Sequence, residues 1–341
     1  MLNKPGLLIG ESRNVFRVKD RWLMNNCKYT FLLPAYKAEY LKEAIDSLLA
    51  QTYRGFKIIV SDDNSPEDIR SIVDSFDDNR IVYRKNKNNI GGLRLAEHWN
   101  LLLGLCDTDY VIVASDDDVY SDNFLENIDR LSSKYPQVNV IRARTQRIDN
   151  NGEITSQEDI FEEYQNRIEA LHSMFCSNYI GCVGNYVFRT DALRRAGGFA
   201  DLPYAWFSDM QTVISMQGNG QANTNQILFS FRLSNINISN SKKNKMVDSY
   251  KLKATVLFDK WLSEYISRLP SPNSVLETNY IKGTLSCFKH RIYGQCGDYS
   301  WALSVFKWYH DIYRQLKGHS YFSSKSFMKY FLISIINRNH G

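Results

Sequence analysis

Three consecutive aspartates, Asp116, Asp117 and Asp118, follow an apolar run in "VIVASDDDVYSDNF". A second acidic pair, Asp62-Asp63, closes "FKIIVSDD". Adjacent carboxylates repel, and each raises the proton affinity of the next unless a cation sits among them. Hard divalent cations such as Mg2+ or Mn2+ want oxygen ligands. They often take one or two carboxylates and fill the other positions with phosphate oxygens and water. Such a cluster suits a metal–diphosphate. The alternative is a solvated acidic loop that caps the next helix.

The elements around these clusters favour the first reading. "YTFLLPAY" is a short apolar run stopped by Pro34, as expected of a buried strand. In "KAEYLKEAIDSLLAQ", Leu41, Ala44, Ile45, Leu48 and Leu49 share one helical face. "FKIIVSDD" is a second strand, and Ser65-Pro66 reads as a helix start with Ser65 at the cap. "RIVYRKN", the Gly-led helix "NIGGLRLAEHWNLLLGL" and the strand "DYVIVAS" complete a β-α-β-α-β-α-β order. That order predicts an α/β fold: a mostly parallel sheet with helices on both faces. Ligands of such sheets bind at the carboxyl ends of the strands, where both acidic clusters fall. Further on, "FLENIDRLSSKYP" and "FSDMQTVISMQ" read as helices, the latter with Ser208 as a plausible cap. After about residue 245 the β signal vanishes and apolar and basic positions alternate at helical spacing. The expected organisation is a lead over 1–27, an α/β domain over 28–245 and a helical, basic C-terminal appendage over 246–341.

The 341 residues are 43% hydrophobic and 23% charged, an ordinary globular balance. The net charge of +5 is unevenly placed. From Ser241 onward 16 Lys+Arg face 6 Asp+Glu, a net +10, and residues 1–240 carry a net −5. The basic region would suit peripheral contact with an anionic membrane surface; a solvated helical surface is the alternative. Six scattered cysteines form no CxxC, which argues against a zinc ribbon and fits a reducing cytoplasm. "MLNKPGLLIGESR" does not read as a signal peptide, and no apolar run approaches the ~20 residues that span a bilayer.

Five segments, in order, resemble glycosyltransferase family 2. They are "FLLPAYKAEYLKEAIDSLLAQTY", "KIIVSDDNSPED", "NKNNIGGLRLAEHWN", "ASDDDVYSDNFLE" and "RRAGGF". The resemblance covers about residues 28–240 and implies the GT-A (Rossmann-like) fold and sugar transfer from a nucleotide sugar. It assigns Asp63, supported by Asp62, to the nucleotide base. A carboxylate can pair with the imide N–H of uracil, which favours UDP or dTDP. It places Pro34, Ala35 and Tyr36 along base and ribose, with Tyr36 free to stack or to serve the core. Arg94, near a helix start, could neutralise phosphate or remain a surface arginine.

At the metal motif the chain departs from many relatives, with Ser115 in place of a first aspartate. The resemblance then puts Asp117 and Asp118 closest to metal and diphosphate and Asp116 toward the ribose, with a one-residue shift as the alternative. Mn2+ or Mg2+ is the implied cofactor. Inverting transfer needs a general base for the acceptor hydroxyl. Family members carry it in an "ED" at a helix start. Here "YAWFSDMQ" occupies that place, so Asp209 is the candidate, with Ser208 replacing the glutamate; helix capping is its bland alternative. Trp206 could face a sugar, Gly184 could permit close approach of an acceptor, and Asn185 could bond to it. "FRLSNINIS" resembles a late family motif in which Arg232 would reach the diphosphate or the base-bearing loop, while the usual histidine is Ser234.

QxxRW, the signature of processive synthases, is absent, as are a P-loop and a GxGxxG after the first strand. The expectation is therefore a metal-dependent, inverting enzyme that adds one sugar from a UDP-sugar to a glycan or lipid-linked acceptor. Its setting would be bacterial surface polysaccharide synthesis, in the cytoplasm or peripheral on the inner membrane, without nucleic acid. Ser115 and Ser208 keep open a degenerate module that binds nucleotide sugar without transfer. A sugar-nucleotide pyrophosphorylase would need glycines where "PAYKAEY" stands.

Overall fold

This computed structural model describes residues 27–234, 244–299, 312–317, 323–325 and 328. The expected lead over 1–27 lies almost wholly outside them, as do most of 300–317 and 322–337.

Alternation builds the sheet. In β1 (Tyr29–Ala35), Tyr29, Phe31, Leu33 and Ala35 pack on one face and Leu32 on the other. β2 (Phe56–Asp62), β3 (Ile81–Lys85) and β4 (Tyr110–Val113) extend it in parallel, in the order β3-β2-β1-β4. Strands β1, β2 and β4 are covered on both faces, which is why they read as continuous apolar runs. Past β4 come β9 (Tyr186–Arg189), β6 (Val140–Ile148), β10 (Gln221–Arg232) and β5 (Val119–Tyr120). β9 runs antiparallel to both its neighbours, β10 parallel to β6, and β5 antiparallel to β10. Two short strands, β7 (Ile154–Gln157) and β8 (Tyr164–Gln165), pair with β6 and β10. The expected mostly parallel sheet is present, mixed in its second half.

On one face lie α1 (Leu41–Leu49), α2 (Ile69–Asp74) and α4 (Phe124–Lys134). Leu41, Ile45 and Leu48 of α1 are fully buried there, each contributing roughly 1.5–3 kcal/mol. The other face is covered by α3 (Gly91–Leu103), α5 (Arg167–Cys176), α6 (Thr190–Arg195) and α7 (Ser208–Met216). The helical C-terminal region, α8 (Lys245–Ser267) and α9 (Val275–Tyr299), joins this same core through Leu252, Phe258, Leu262, Phe288 and Ile292. α9 packs on α5 and α8, with His172 stacked on Tyr280.

The two expected caps have further partners. Ser65 accepts from Glu67 N–H (3.0 Å), as a cap does, and donates its hydroxyl to the Tyr36 carbonyl (2.5 Å); the regular helix α2 starts later, capped by Asp68, which accepts from Ser71 N–H (3.1 Å). Ser208 is the first residue of α7, and its hydroxyl accepts from Leu202 N–H (3.1 Å). The "GGF" turn has a structural cause as well. Gly198 has φ +87°, and an added Cβ would lie 2.3 Å from Asn100 Oδ1. Asn100 in turn brackets Phe199, accepting from its N–H and donating to its carbonyl.

Candidate active site

A cavity of about 830 Å3 opens at the carboxyl ends of β1, β2 and β4. Pro34, Ala35, Tyr36, Asp63, Asp116, Asp117, Trp206 and Asp209 all line it. Sequence positions up to 175 residues apart thus meet because β1 and β4 are adjacent and α7 closes over their ends.

Asp116 ties two strand ends together. Its Oδ2 accepts from the Tyr36 and Lys37 N–H groups, both at 2.9 Å. Burial still pushes its carboxyl up, against the pull of those bonds. Asp117, 7% exposed, takes no side-chain or tertiary hydrogen bond on its carboxylate among the described residues; burial and Asp116 push it up to about 6. Asp118 stands behind the wall, where its Oδ1 accepts from Arg232 N–H (2.9 Å) and burial raises it further.

No group of three metal-binding side chains occurs among the described residues. The residues nevertheless fit a divalent cation shared with a substrate. Asp117 offers a carboxylate that burial and Asp116 raise despite Lys37 and Arg232, and Mg2+-type sites commonly use one or two carboxylates beside substrate phosphates.

Asp63 lines the cavity but spends its carboxylate on the start of α3. It accepts from Ile90 N–H (2.9 Å), Gly91 N–H (2.6 Å) and Asn86 Nδ2 (2.8 Å). A carboxylate has about four lone-pair positions, so these three donors, with Ile90 N–H shared between both oxygens, leave room for at most one bond to a base. Asp62 lies beneath the cavity, bonded by Ser65 N–H, Tyr83 hydroxyl and Lys85. Burial raises its carboxyl, but these donors outweigh burial and hold it below the usual range. His98, singled out by no motif, completes this corner. Its Nε2 accepts from Asn86 Nδ2 (3.1 Å) and meets Ser61 Oγ (2.9 Å), and burial lowers its proton affinity.

Asp209 sits in the first turn of α7. Its Oδ1 accepts from Met210 N–H (2.8 Å), and burial pushes the carboxyl up to about 6, against Met210 N–H and Arg291. The chain reaches it through Tyr204, Ala205 and Phe207, all at positive φ (61°, 52° and 67°). Non-glycine residues held there cost energy and cluster at working sites.

Four expected site residues point elsewhere. Arg94 pairs with Glu97 on the surface of α3 (3.0 Å). Arg232 is buried under the loop that carries Asp116, Asp117 and Asp118. Its guanidinium donates to the Asp117, Asp149 and Asn150 carbonyls and to Glu43, over the Tyr40 ring, so its fork is consumed in holding the loop. Gly184 is glycine because an added Cβ would lie 2.7 Å from the Phe229 ring. Asn185 is fully buried and donates to Thr145 Oγ1 and the Ile180 carbonyl. The cavity instead gains Lys37, Arg147, Cys182, Arg291 and Gln295. Lys37 follows Tyr36 directly and could have been read with it. Arg291 and Gln295 lie on α9, and no local pattern connects them to the strand ends.

A model of the family "Glycosyl transferase family 2" matches residues 30–197. Over those residues, just under half of the chain, the sequence is that of glycosyltransferase family 2. The match carries the strands and the aspartates of the family site but stops before Asp209, Arg232 and α9.

Among curated relatives, glycosyltransferase GlyG of Streptococcus pneumoniae is 30% identical over 28% of this chain and 32% of its own length. An uncharacterized glycosyltransferase, RP339 of Rickettsia prowazekii, is 30% identical over 43% of this chain and 39% of its own. The chain thus spans about a third to two-fifths of the length of these relatives. Escherichia coli WfgD, named as a UDP-Glc:alpha-D-GlcNAc-diphosphoundecaprenol beta-1,3-glucosyltransferase, is 30% identical over 30% of this chain and 40% of its own.

The fold is that of solved family structures. Staphylococcus aureus TarS 1-349 with UDP-GlcNAc superposes with a TM-score of 0.55 at 13% identity, covering 84% of this chain and 89% of TarS 1-349. The mannosyltransferase PcManGT from Pyrobaculum calidifontis, in complex with GDP-Man and Mn2+, gives 0.50 at 13% identity over 91% of this chain and 86% of its own.

Proposed function

We propose that this chain transfers one sugar from a nucleotide sugar to the hydroxyl of a glycan or lipid-linked acceptor, with inversion at the anomeric carbon. The observation that carries this is the pairing, in one cavity, of a carboxylate at the strand ends that no ion pair holds among the described residues with a second carboxyl poised near neutrality on α7. A general base works best when its pKa lies near the operating pH.

In this reading Asp209 Oδ2, the oxygen not held by Met210, takes the proton from the acceptor hydroxyl. The acceptor oxygen bonds to the anomeric carbon as the bond from that carbon to the diphosphate breaks, and the nucleoside diphosphate leaves. Asp117 would hold Mn2+ or Mg2+ with the diphosphate, and the cation would supply Lewis-acid stabilisation of the leaving group. Pro34, Ala35 and Tyr36 line the wall beside Asp63, where the nucleoside would lie. Trp206, on the wall beside Asp209, offers an apolar face to a sugar.

UDP is the donor nucleotide we favour, consistent with the names of TarS and WfgD. Two relatives named as acting on undecaprenol diphosphates, WfgD and a Campylobacter jejuni beta-1,3-glucosyltransferase, support a lipid-linked acceptor and a role in the cell envelope. Among the described residues no helix is long and apolar enough to cross a membrane. Access to such a lipid would be peripheral, from the cytoplasmic face and through the basic C-terminal region.

Calorimetric titration with UDP, GDP and dTDP, each with and without Mn2+, tests the donor half. The expected result is binding of UDP that requires the cation. Asp209→Asn should then keep that binding and lose transfer. Failure of all three nucleotides to bind in the presence of Mn2+, or full transfer by Asp209→Asn, would overturn the reading.

A further inference from the structure

The cavity wall contributed by α9 carries a cation without a partner. Arg291 lines the cavity and is open to it. Its guanidinium makes no hydrogen bond or ion pair among the described residues. It lies over the Phe207 ring at 5.7 Å. Five N–H donors in a fixed fork are poorly served by an aromatic face alone. One turn along, Gln295 also lines the cavity. Trp206 Nε1–H and the Thr255 hydroxyl both reach Gln295 Oε1 (3.5 and 3.3 Å), which leaves the amide NH2 with no acceptor among the described residues.

The donors on α9 are placed by their contacts: Arg291 lies over Phe207 and Gln295 meets Trp206, the residues just before Asp209. They therefore face the end of the cavity that holds the candidate base, not the end that would hold the nucleotide diphosphate. A ligand group that satisfies both Arg291 and Gln295 must be an acceptor of hydrogen bonds and bear negative charge. Arg geometry matches phosphate oxygens.

We propose that Arg291 and Gln295 form an anion subsite for the acceptor, holding a phosphate group that lies next to the hydroxyl Asp209 deprotonates. The proposal rests on the sugar-transfer reading above and gives its acceptor a chemical class: a phosphorylated sugar or sugar–phosphate chain. It makes Arg291 a specificity residue whose loss is felt by the acceptor and not by the donor.

The probe is α-D-glucose 1-phosphate, titrated into the full chain with and without saturating UDP and Mn2+, with plain glucose as the uncharged control. Glucose 1-phosphate should bind and glucose should not. Arg291→Gln should weaken glucose 1-phosphate at least tenfold, roughly the loss of one charge-assisted contact, and leave UDP affinity within about twofold. Arg291→Lys should restore part of the binding. Gln295→Glu, which keeps the side-chain shape and adds a negative charge, should weaken it without changing the melting temperature.

If Arg291→Gln lowers UDP affinity instead, the arginine serves the donor diphosphate and the proposal is wrong. It is also wrong if glucose 1-phosphate binds no better than glucose, or equally well to the wild type and both charge-altering variants. Failure of the donor reading looks different. UDP would then not bind the wild type, while glucose 1-phosphate would still bind in an Arg291-dependent way.

Discussion

Replacing Asp117 by asparagine should make the metal-free protein more stable while removing its cation-dependent nucleotide binding. Asp117 is 7% exposed, and burial and Asp116 raise its carboxyl from the ordinary 3.8 to about 6. Ionising it in the fold therefore costs up to about 3 kcal/mol more than ionising it in the unfolded chain. The penalty is absent well below pH 3.8, where the carboxyl is protonated in both states. It grows from about pH 3 to pH 6 and is complete above. Asp117→Asn keeps the shape and deletes the charge. Melting temperatures measured without divalent cations should nearly coincide with the wild type at pH 3 and exceed it at pH 7.5. Calorimetry with UDP and Mn2+ should then show the binding lost. A variant that is no more stable at pH 7.5, or that still binds UDP in a cation-dependent way, would refute the idea that Asp117 is held without an ion pair, ready for a cation.

With Asp209 as base, kcat/KM should rise with pH through about 6 and level off near 7, because only the ionised carboxylate accepts a proton. At pH 5 it should be about tenfold below the plateau, read from initial rates. Arg291→Gln should move that midpoint upward, since Arg291 favours the ionised form. Gly184→Ala should cost roughly 1–3 kcal/mol in denaturant melts, from the clash with Phe229, and leave nucleotide affinity unchanged. Glu158→Ala should cost about 3–5 kcal/mol, because it strands the fully buried Arg142 that Glu158 pairs with.

The parallel half of the sheet was legible because each strand there is buried on both faces and each helix shows a one-sided apolar stripe, as in Leu41, Ile45 and Leu48. The acidic clusters could be placed because strand ends follow from strand boundaries. What could not be read locally was decided by distant partners. β9 inserts antiparallel between β4 and β6, and nothing in "YVFR" states its direction. Ser65 reads as a cap, and only the fold shows that its hydroxyl also donates to the Tyr36 carbonyl. Arg232 reads as a phosphate ligand until Glu43, Asp149 and Asn150 use up its donors. Arg291 reads as one basic residue among many on a helix, and only the packing of α9 against α5 and α8 carries it to the cavity.

The placement of α9 also bears on how the protein is made. A nascent chain that has emerged as far as residue 232 already holds every strand of the sheet and Asp209, but not the wall bearing Arg291 and Gln295. Synthesis thus completes the two ends of the cavity in sequence. A ribosome-stalled or truncated product would lack the α9 wall and the residues Leu252, Phe258, Leu262, Phe288 and Ile292 that α8 and α9 bury in the shared core, so the cavity would stand open on that side.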